Sequence, residues 1–573
     1  MRRPASHVYY PALWCIACVV LPFLRGRELA HPELFPWWAA GALGALGIMG
    51  STGVLFRGKK VAVPKGWGLC LFLACLSALC PLFLRTTALD PALLWCAGLF
   101  LGFTAFRAAG QVLSFPWLGM GCVLAAWSVF RRLELPFVTS SIPHGNPNLL
   151  GVAVAAAFPQ ALSYSKGKPL RRIFLGLFLL GGVVCSGSLG AFLALVLGVF
   201  YRSARGKRIL LSALLLGWLF VLLFLGGMRG LHALKPVYDT TIGIRLYIWE
   251  GSAAAFRHNP WTGWGPTRFQ WIYPAYRVPS YFSNPRAATG TRHAHGELLE
   301  RAVEEGFLGL VPFLLFLGGL FMRSRSHPGR SDFQASAFIL LLHGWMDITL
   351  RAPGTTFLFA MAAGAASRQT PFSSRRWASL GFLCMAFFVV EGGRQRLLFK
   401  GSNRLWRARE AVREKNWDRA VQEVETGVSI LPQDVDLLLE QGFVWAQMGR
   451  YKEAEDSYRN ALTLSPHFAD ARASLAKMLL LQGKESKAQS HLRQASKDNP
   501  WDVDTLWNLA LVCLRLGEKR EAYEACRKLL MRDPHHEQGL SLMKELTPGS
   551  DQKKAPREKR SLGALKESTK PSF

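Results

Sequence analysis

The distribution of apolar residues divides this chain near residue 392. Uncharged stretches of about 15–20 residues recur up to Gly392, whereas the chain after it is charged and polar. Of the 573 residues, 50% are hydrophobic and only 18% are charged, which is too apolar for an ordinary soluble protein of this length. The sequence therefore predicts a membrane region followed by a soluble region.

The apolar stretches predict an all-α bundle of about 12–13 membrane spans. The predicted spans lie near residues 8–24, 35–56, 67–84, 91–106, 112–130, 148–165, 172–186, 187–201, 208–227, 304–322, 333–350, 355–367 and 377–392. The first stretch follows Met1-Arg2-Arg3 and has no small-residue cleavage site, so it is expected to be retained. The run from 172 to 201 is interrupted at 185–188 and is compatible with one long helix or two short ones.

Charged loops decide between these alternatives. Strongly basic loops are expected on the cytoplasmic side, and they occur at residues 57–65, 166–172, 202–208, 323–330 and 368–376. With the N-terminus inside, all five face the cytoplasm only if 172–201 crosses twice. The same topology places the segment 228–303 and the C-terminal region outside. In a membrane protein, lysines and arginines mark cytoplasmic loops and contact lipid headgroups, so the net charge of +30 does not predict nucleic-acid binding.

The C-terminal region repeats itself with a period of 34 residues, which is the period of tetratricopeptide (TPR) repeats. Between Gly401 and His536, alanines recur where two helices would cross, and prolines recur where each second helix would end. These positions are Ala420, Ala454, Ala488 and Ala522, and Pro432, Pro466, Pro500 and Pro534. We predict four repeats forming a TPR α-solenoid, with a capping helix at Glu537–Leu546 and a groove for a protein partner.

The predicted domains are 1–227 (N-terminal spans), 228–303 (outside loop), 304–392 (C-terminal spans), 401–546 (repeats and cap) and 547–573 (basic tail without apolar periodicity). Nine of the eleven cysteines lie in apolar stretches, and Cys513 and Cys526 lie at packing positions of the repeats, so core filling is favoured over disulfides. No Cys/His cluster has zinc spacing. Neither a metal nor a cofactor is predicted.

Three motifs occur between the ninth and tenth predicted spans, in a polar segment long enough to be functional. The first is Gly243 to Trp249, the second is His258 to Phe269, and the third is Arg292 to Leu299, which runs into Glu305-Gly306-Phe307-Leu308-Gly309. Together they resemble the O-antigen ligase and polymerase superfamily, with its Arg-x-x-x-Trp, Pro-x-x-Gly-x-Gly and Ala-His-Asn elements before Glu-x-Gly-x-x-Gly. The matching positions are Arg245, Trp249, Pro260, Gly263, Gly265, His295 and Glu305 to Gly309.

Weaker elements extend this resemblance over most of residues 140–370. They are Gly145 to Leu149, Ser186-Gly187-Ser188 and His343 to Asp347. The chain departs from the family pattern at Gly296, where Asn commonly follows the histidine, and at Leu189, where Arg commonly follows the serine.

The resemblance implies a metal-independent membrane glycosyltransferase of the type C class. Such an enzyme moves a glycan from undecaprenyl pyrophosphate to an acceptor hydroxyl at the outer face of the bacterial inner membrane, which would make the repeats periplasmic. The expected acceptor is lipid A core, a growing polysaccharide as in lipopolysaccharide biosynthesis, or a protein. A protein O-oligosaccharyltransferase and a non-enzymatic envelope-assembly scaffold remain alternatives.

Residue chemistry agrees with this function. A pyrophosphate leaving group gains negative charge that Arg meets with its planar fork, so Arg245 is the predicted catalytic cation. His295 is the predicted general base, because an imidazole is partly unprotonated near neutral pH. The predicted substrate-binding residues are Arg292, Arg277, Arg268, Trp249 and Asn148, and the predicted supporting residues are Gly263, Gly265, Glu297, His343 and Asp347.

For several of these residues a structural role is the alternative. Each loop arginine could be an ordinary solvated charge. Trp249 could anchor the chain at a membrane interface, where tryptophan is enriched. His343 and Asp347 are predicted at i and i+4 of one membrane helix, where a hydrogen-bonded structural pair is as plausible as a catalytic one.

Overall fold

The computed structural model describes residues 61–64, 114–133, 146–164, 168–202, 241–265, 268–278, 291–322, 328–366, 369–372 and 378–546 except 501. The predicted spans near 8–24, 35–56, 67–84, 91–106 and 208–227 lie outside these residues, as does the basic tail. For 378–395 only the backbone is described.

The regular structure of the described residues is helical apart from one pair of short strands. The membrane region contains α1 (Ser114–Arg132), α2 (Pro147–Ala155), α3 (Phe158–Tyr164), α4 (Pro169–Ser186), α5 (Leu189–Tyr201), α6 (Thr241–His258), α7 (Phe269–Ile272), the 3-10 helix Tyr273–Tyr276, α8 (Glu297–Met322), α9 (Pro328–Gly344) and α10 (Pro353–Ala366). The repeats contain α11 (Ala378–Arg413), α12 (Trp417–Ile430), α13 (Val435–Gln447), α14 (Tyr451–Leu464), α15 (Ala469–Leu481), α16 (Glu485–Asp498), α17 (Val503–Arg515), α18 (Lys519–Arg532) and α19 (Glu537–Leu546). The predicted fold class, a helix bundle followed by a TPR α-solenoid, is confirmed.

The strands β1 (Val61–Pro64) and β2 (Gln369–Phe372) pair antiparallel, with Val61 opposite Phe372 and Pro64 opposite Gln369. They belong to two of the predicted cytoplasmic loops. Their pairing places these two loops side by side, which is compatible with the predicted topology.

Within the described residues, two helices are long and apolar enough to cross a membrane, namely α4 and the part of α8 up to Phe321. The α5 helix and most of α10 are apolar but shorter. On α4 the side chains of Leu170, Phe174 and Leu177 are 82%, 69% and 63% exposed. Large apolar side chains that face outward along a whole helix suit lipid rather than water.

The predicted break inside 172–201 is confirmed, because α4 ends and α5 begins there. Gly187 has a left-handed φ of 74°, and Ser188 caps α5 by accepting from the Ala191 backbone N–H. The predicted span at 148–165 is not one continuous helix, because the structure divides it into α2 and α3. Pro159 has no N–H and cannot continue the hydrogen-bond pattern of α2.

Small residues allow the membrane helices to pack closely. A Cβ atom added to Gly182 of α4 would lie 2.6 Å from the Cα of Ala125 in α1, and one added to Gly198 of α5 would lie 2.2 Å from the Ile339 side chain in α9. Close helix contact through small residues is characteristic of membrane bundles. The resulting core includes the buried side chains of Trp117 and Phe333, whose rings meet edge to face.

The repeat helices follow the predicted period. Each predicted crossing alanine (Ala420, Ala454, Ala488 and Ala522) is 0% exposed. The second helices α12, α14, α16 and α18 each end two residues before a predicted proline, and α19 has the bounds predicted for the cap. Cys513 and Cys526 are free and buried, as predicted.

The predicted boundary between the last span and the first repeat differs from the structure. Residues 377–392 were predicted as a span and the repeats to begin at 401, but α11 runs without a break from Ala378 to Arg413. No proline lies between these residues, so the hydrogen-bond pattern of the helix has nothing to interrupt it.

Candidate active site

Arg245 projects from the first half of α6 toward a carboxylate on another element. Its Nη2 lies 3.4 Å from Oδ2 of Asp347, and the Arg245 side chain is 21% exposed. Trp249, one turn later and on the same face of α6, donates its indole N–H to the backbone oxygen of Ala294 at 3.0 Å. The predicted Arg-x-x-x-Trp motif therefore connects α6 to two other segments.

Asp347 lies in the turn that follows α9, not on the helix itself. The prediction that His343 and Asp347 are one turn apart on the same helix is wrong, because α9 ends at Gly344. The Asp347 Oδ1 accepts from its neighbour's backbone N–H, that of Ile348, at 2.8 Å. Such local side-chain bonding competes with helix continuation. The Asp347 side chain is only 5% exposed.

His295 precedes α8 and faces the same carboxylate. Its Nδ1 lies 3.7 Å from Asp347 Oδ1, and its side chain is 34% exposed. The fourth member is Asn148 at the start of α2, whose Nδ2 donates to Asp347 Oδ2 at 2.7 Å. We call Asn148, Arg245, His295 and Asp347 the Asp347 cluster. It brings together residues from four separate parts of the chain.

His343 lies close to this cluster but is enclosed by protein. The residue is 3% exposed, and its Nδ1 is 2.5 Å from the Thr349 hydroxyl. A Cβ atom added to Gly190 would lie 3.2 Å from its Nε2. These contacts support the structural interpretation of His343.

A network of buried charges, which we call the Glu/Arg network, surrounds the start of α8. Arg351 contacts three glutamates on one face of this helix: Nε lies 3.1 Å from Glu297 and 3.6 Å from Glu300, and Nη1 lies 2.7 Å from Glu304. All four side chains are at most 6% exposed. Arg301 contacts Glu297 and Glu305 at 2.9 and 2.8 Å.

From the Glu/Arg network, the sequence analysis predicted a supporting role only for Glu297 and named Glu305 only as a position of the family motif. The available signal was the spacing of three acidic residues on one face of a helix that continues into an apolar span. Ionised groups in such a place require buried partners.

Glu300 also holds the segment that carries His295. Its Oε1 lies 2.9 Å from His293 Nδ1, and its Oε2 accepts from the Ala294 backbone N–H at 2.8 Å. Burial lowers the pKa of His293, but the Glu300 carboxylate more than offsets this, so the pKa of His293 is raised above its ordinary value.

The predicted glycine turn docks onto a kink in α8. Gly306 in this helix has φ 62° and ψ −160°, which leaves backbone groups without partners in the helix. The N–H groups of Trp264 and Gly265 donate to the carbonyls of Val303 and Glu304 at 3.0 and 2.8 Å. In return, the N–H groups of Phe307 and Leu308 donate to the carbonyls of Pro260 and Trp261 at 2.7 and 3.1 Å.

Glycine is required on both sides of this contact. Gly263 has φ 66°, and a Cβ atom added there would lie 2.3 Å from the Glu304 carbonyl oxygen. Gly265 also has a positive φ, of 103°. The two glycine motifs of the sequence therefore form one clamp between two backbones.

The remaining predicted arginines lie in nearby loops. Arg268 directly precedes α7, the Arg277 guanidinium carbon lies 5.5 Å from the ring centre of Tyr273, and Arg292 is exposed in the segment before His293. Their roles in substrate binding stay predictions.

Comparison with known proteins agrees with both halves of the chain. Residues 173–314 match the family model described as O-Antigen ligase, and residues 445–497 and 479–546 match that of the tetratricopeptide repeat. The predicted resemblance is thus confirmed: residues 173–314 are similar to the O-antigen ligase family, and residues 445–546 are similar to TPR repeats. The matched ligase segment contains Arg245 and His295, whereas Asn148 and Asp347 lie outside it.

A curated human protein, Protein O-mannosyl-transferase TMTC3 from Homo sapiens, is 22% identical over 257 residues, covering 35% of this chain and 27% of its own length. The chain thus spans about a quarter of this relative. Among solved structures, MamA is 19% identical (30% of this chain, 87% of that chain, TM-score 0.25). The TPR protein YrrB is 18% identical (30% of this chain, 87% of that chain, TM-score 0.24).

Proposed function

We propose that this protein is a membrane glycosyltransferase that moves a glycan from undecaprenyl pyrophosphate to an acceptor hydroxyl at the outer face of the inner membrane. The observation that carries the proposal is the convergence of Arg245 and His295 on one buried carboxylate. These two residues come from separate motifs of the chain. A cation and a base that share a fixed partner suit a reaction in which one bond to oxygen forms while another breaks.

Arg245 stabilises the leaving group. The bond between the anomeric carbon and the pyrophosphate oxygen breaks, and its electron pair leaves with undecaprenyl pyrophosphate. A guanidinium has five N–H donors. Asp347 engages one end of it at 3.4 Å, which orients the fork while donors remain for the phosphate oxygens.

His295 accepts the proton of the attacking hydroxyl. When Nδ1 carries a proton directed at Asp347, Nε2 is the acceptor nitrogen, which is the arrangement a general base requires. The Nδ1 to Oδ1 distance of 3.7 Å is longer than a hydrogen bond. We expect it to shorten when substrates bind, as catalytic contacts commonly do. Asn148 fixes the carboxylate by its hydrogen bond of 2.7 Å.

Two acceptor classes fit this chemistry. Lipid A core or a growing surface polysaccharide is the first, by the O-antigen ligase match. A protein hydroxyl is the second, favoured by the TPR repeats, whose grooves bind protein segments, and by the name of the human relative, an O-mannosyl-transferase. Metal independence and a periplasmic location of the repeats belong to the same proposal.

The test compares four variants at matched membrane levels in a deletion strain of the source organism. His295→Gln removes the base, Arg245→Lys keeps the charge but loses the fork, and Asn148→Ala releases the carboxylate. Arg257→Ala is the control, because Arg257 is an exposed residue in the last turn of the same helix as Arg245. Glycans on lipopolysaccharide, surface polymer and envelope proteins are profiled together with undecaprenyl-pyrophosphate-linked donor.

We expect wild type and Arg257→Ala to restore one glycoconjugate, which identifies the acceptor class. His295→Gln and Arg245→Lys should reduce it by about 100-fold or more while the donor accumulates. If both of these restore it as well as wild type, the transferase proposal is wrong, and a scaffold function of the repeats takes its place.

A further inference from the structure

His295 has a backbone conformation that residues other than glycine adopt only in a few per cent of cases. Its φ is 51°, in the left-handed region, where a side chain with a Cβ atom is strained. Such a conformation persists only when the surrounding structure imposes it. The contacts of the neighbouring residues therefore determine where the imidazole points.

Two side chains hold the backbone of Ala294, the residue before His295. Glu300 accepts from the Ala294 N–H at 2.8 Å and contacts the His293 imidazole at 2.9 Å. Trp249 donates to the Ala294 carbonyl at 3.0 Å. Glu300 is only 2% exposed, so water does not compete for its carboxylate. Both backbone polar groups of the residue before His295 are thus held.

Arg351 extends this support to Asp347, the carboxylate that His295 and Arg245 share. It lies four residues after Asp347, in the same turn, and contacts Glu300 at 3.6 Å. The same guanidinium contacts Glu297 and Glu304 on α8. One buried cation therefore joins the segment that carries Asp347 to the helix that holds the His295 segment.

We propose that Glu300 and Arg351 are positioning residues that set the placement of His295 relative to Asp347 for the transfer reaction. Neither residue is part of the motifs that pointed to the site, and neither belongs to the Asp347 cluster. This inference rests on the proposed function, but its structural part is measurable without turnover.

The experiment measures carbethoxylation of individual histidines by diethyl pyrocarbonate in the full-length protein in lipid nanodiscs at pH 7, resolved by fragment mass spectrometry. His295 reports the placement of the segment. His258, exposed at the end of α6, is the internal reference. His343, 3% exposed, reports whether the bundle stays folded.

Glu300→Gln is the main variant, and Glu304→Gln is its matched control. Both remove one carboxylate from Arg351, but Glu304 holds the backbone N–H of Phe269 at 3.2 Å rather than the His295 segment. We expect Glu300→Gln to change the His295 rate by about fivefold or more relative to His258, with His343 still protected. Glu304→Gln should change the His295 rate less than Glu300→Gln does, because it disturbs Arg351 but leaves the Ala294 and His293 contacts of Glu300 in place.

Turnover provides the second readout. Displacement of a general base by a fraction of an ångström lowers the rate of the chemical step more than it lowers the affinity for substrate. Glu300→Gln should therefore lower kcat by about tenfold or more with KM within about twofold, and Glu304→Gln should lower kcat by a smaller factor. Glu300→Asp, which keeps the charge but is too short to maintain both contacts, should be intermediate.

An unchanged His295 rate in Glu300→Gln, with His343 protected, overturns the proposal whatever the activity is. If Glu300→Gln exposes His343, the same criterion is applied to Glu300→Asp, which retains the charge. If the His295 rate changes as expected but His295→Gln retains full transfer, the positioning of the segment stands and the proposed function fails.

Discussion

Charged side chains form ion-pair networks in two regions of this protein, and the two networks differ in burial. At the start of α8, Arg351 is 6% exposed and its partners Glu297 and Glu304 are 1% exposed. Between the helices of the repeats, Arg493 is 44% exposed and its partners Glu518 and Glu521 are 42% and 33% exposed. The contact distances are similar, so distance alone does not distinguish the two regions.

The difference shows what each network contributes. Exposed pairs are solvated in the unfolded chain and nearly as well in the folded one, so each contributes at most about 1 kcal/mol. A buried pair gains little overall, but removal of one partner leaves an uncompensated charge that costs about 3–5 kcal/mol. The repeats depend on their buried alanines, whereas the candidate active-site region depends on its charges being complete.

The largest expected effect is that of Arg351→Met. It leaves Glu297, Glu300 and Glu304 without their shared cation, so we expect destabilisation by about 3–5 kcal/mol. The midpoint of thermal unfolding of the full-length protein in detergent should fall by roughly 10 °C.

A compensated variant sharpens this prediction. When Arg351→Met is combined with Glu297→Gln and Glu304→Gln, most of the stability should return, because a buried ion pair replaced on both sides is close to neutral. If the midpoint of thermal unfolding of Arg351→Met alone equals that of wild type, burial does not make the loss of one ion-pair partner costly here.

Glycines with positive φ offer the second comparison of the two regions. Gly306 has φ 62°, and a Cβ atom added there would lie 2.4 Å from the Trp261 carbonyl oxygen, whereas Gly483 between repeat helices has φ 75° and open space around it. Gly306→Ala adds a backbone clash to the conformational strain, so we expect it to destabilise by about 2–4 kcal/mol and to abolish transfer.

Gly483→Ala should lower the free energy of unfolding only through conformational strain, by about 1 kcal/mol, and leave transfer unchanged. Gly319→Ala, on the same helix as Gly306 but with no neighbour within 4 Å, should be neutral or stabilising. Thermal unfolding and the transfer assay measure all three variants. Equal effects of Gly306→Ala and Gly319→Ala would show that the clamp is dispensable.

The two regions also differ in how much of their structure could be predicted from the sequence. The repeats depend on local, periodic contacts, so alanines and prolines 34 residues apart predicted each helix pair and the cap. The motif histidine and arginine were predicted from a pattern. That Asn148 contacts Asp347 across 199 residues follows from packing that no local spacing encodes.

The Glu/Arg network escaped prediction for a related reason. Acidic residues at 297, 300 and 304 of a helix resemble an ordinary solvated face, and only the burial of that face makes them partners of Arg351. The break between α2 and α3, just before Pro159, was predictable from proline chemistry but was overlooked because the apolar run continues through it.

Glu455 tests whether burial, rather than the region, decides the effect of a charge. It lies in the repeats with its side chain 10% exposed, between Arg459 at 2.7 Å and Lys484 at 3.1 Å. Burial raises its pKa, but hydrogen bonds from Arg459, Lys484 and Gln482 outweigh this and lower the pKa of Glu455 to about 2.

A depressed pKa contributes stability that is present above the unfolded value, about 4.3, and is lost as the pH falls toward 2. Glu455→Gln should therefore reduce the stability of α14 and α15 by roughly 2 kcal/mol at pH 7, with little difference from wild type near pH 2. Hydrogen exchange of peptides from these helices in the full-length protein measures both values. A difference that grows as the pH falls would contradict the assignment.

Among the charged residues, the smallest expected effect is that of Arg493→Gln, the exposed counterpart of Arg351→Met. Its contacts with Glu518 at 2.6 Å and Glu521 at 2.7 Å are as short as those of Arg351, but its solvation limits the loss to about 1 kcal/mol or less. Hydrogen exchange in α16 and α18 should change slightly at low salt and not at all at about 1 M salt, where charges are screened within about 3 Å. Arg493→Lys serves as the control that keeps the charge. A loss as large as that of Arg351→Met would mean that contact distance, and not burial, determines the energetic role of an ion pair in this chain.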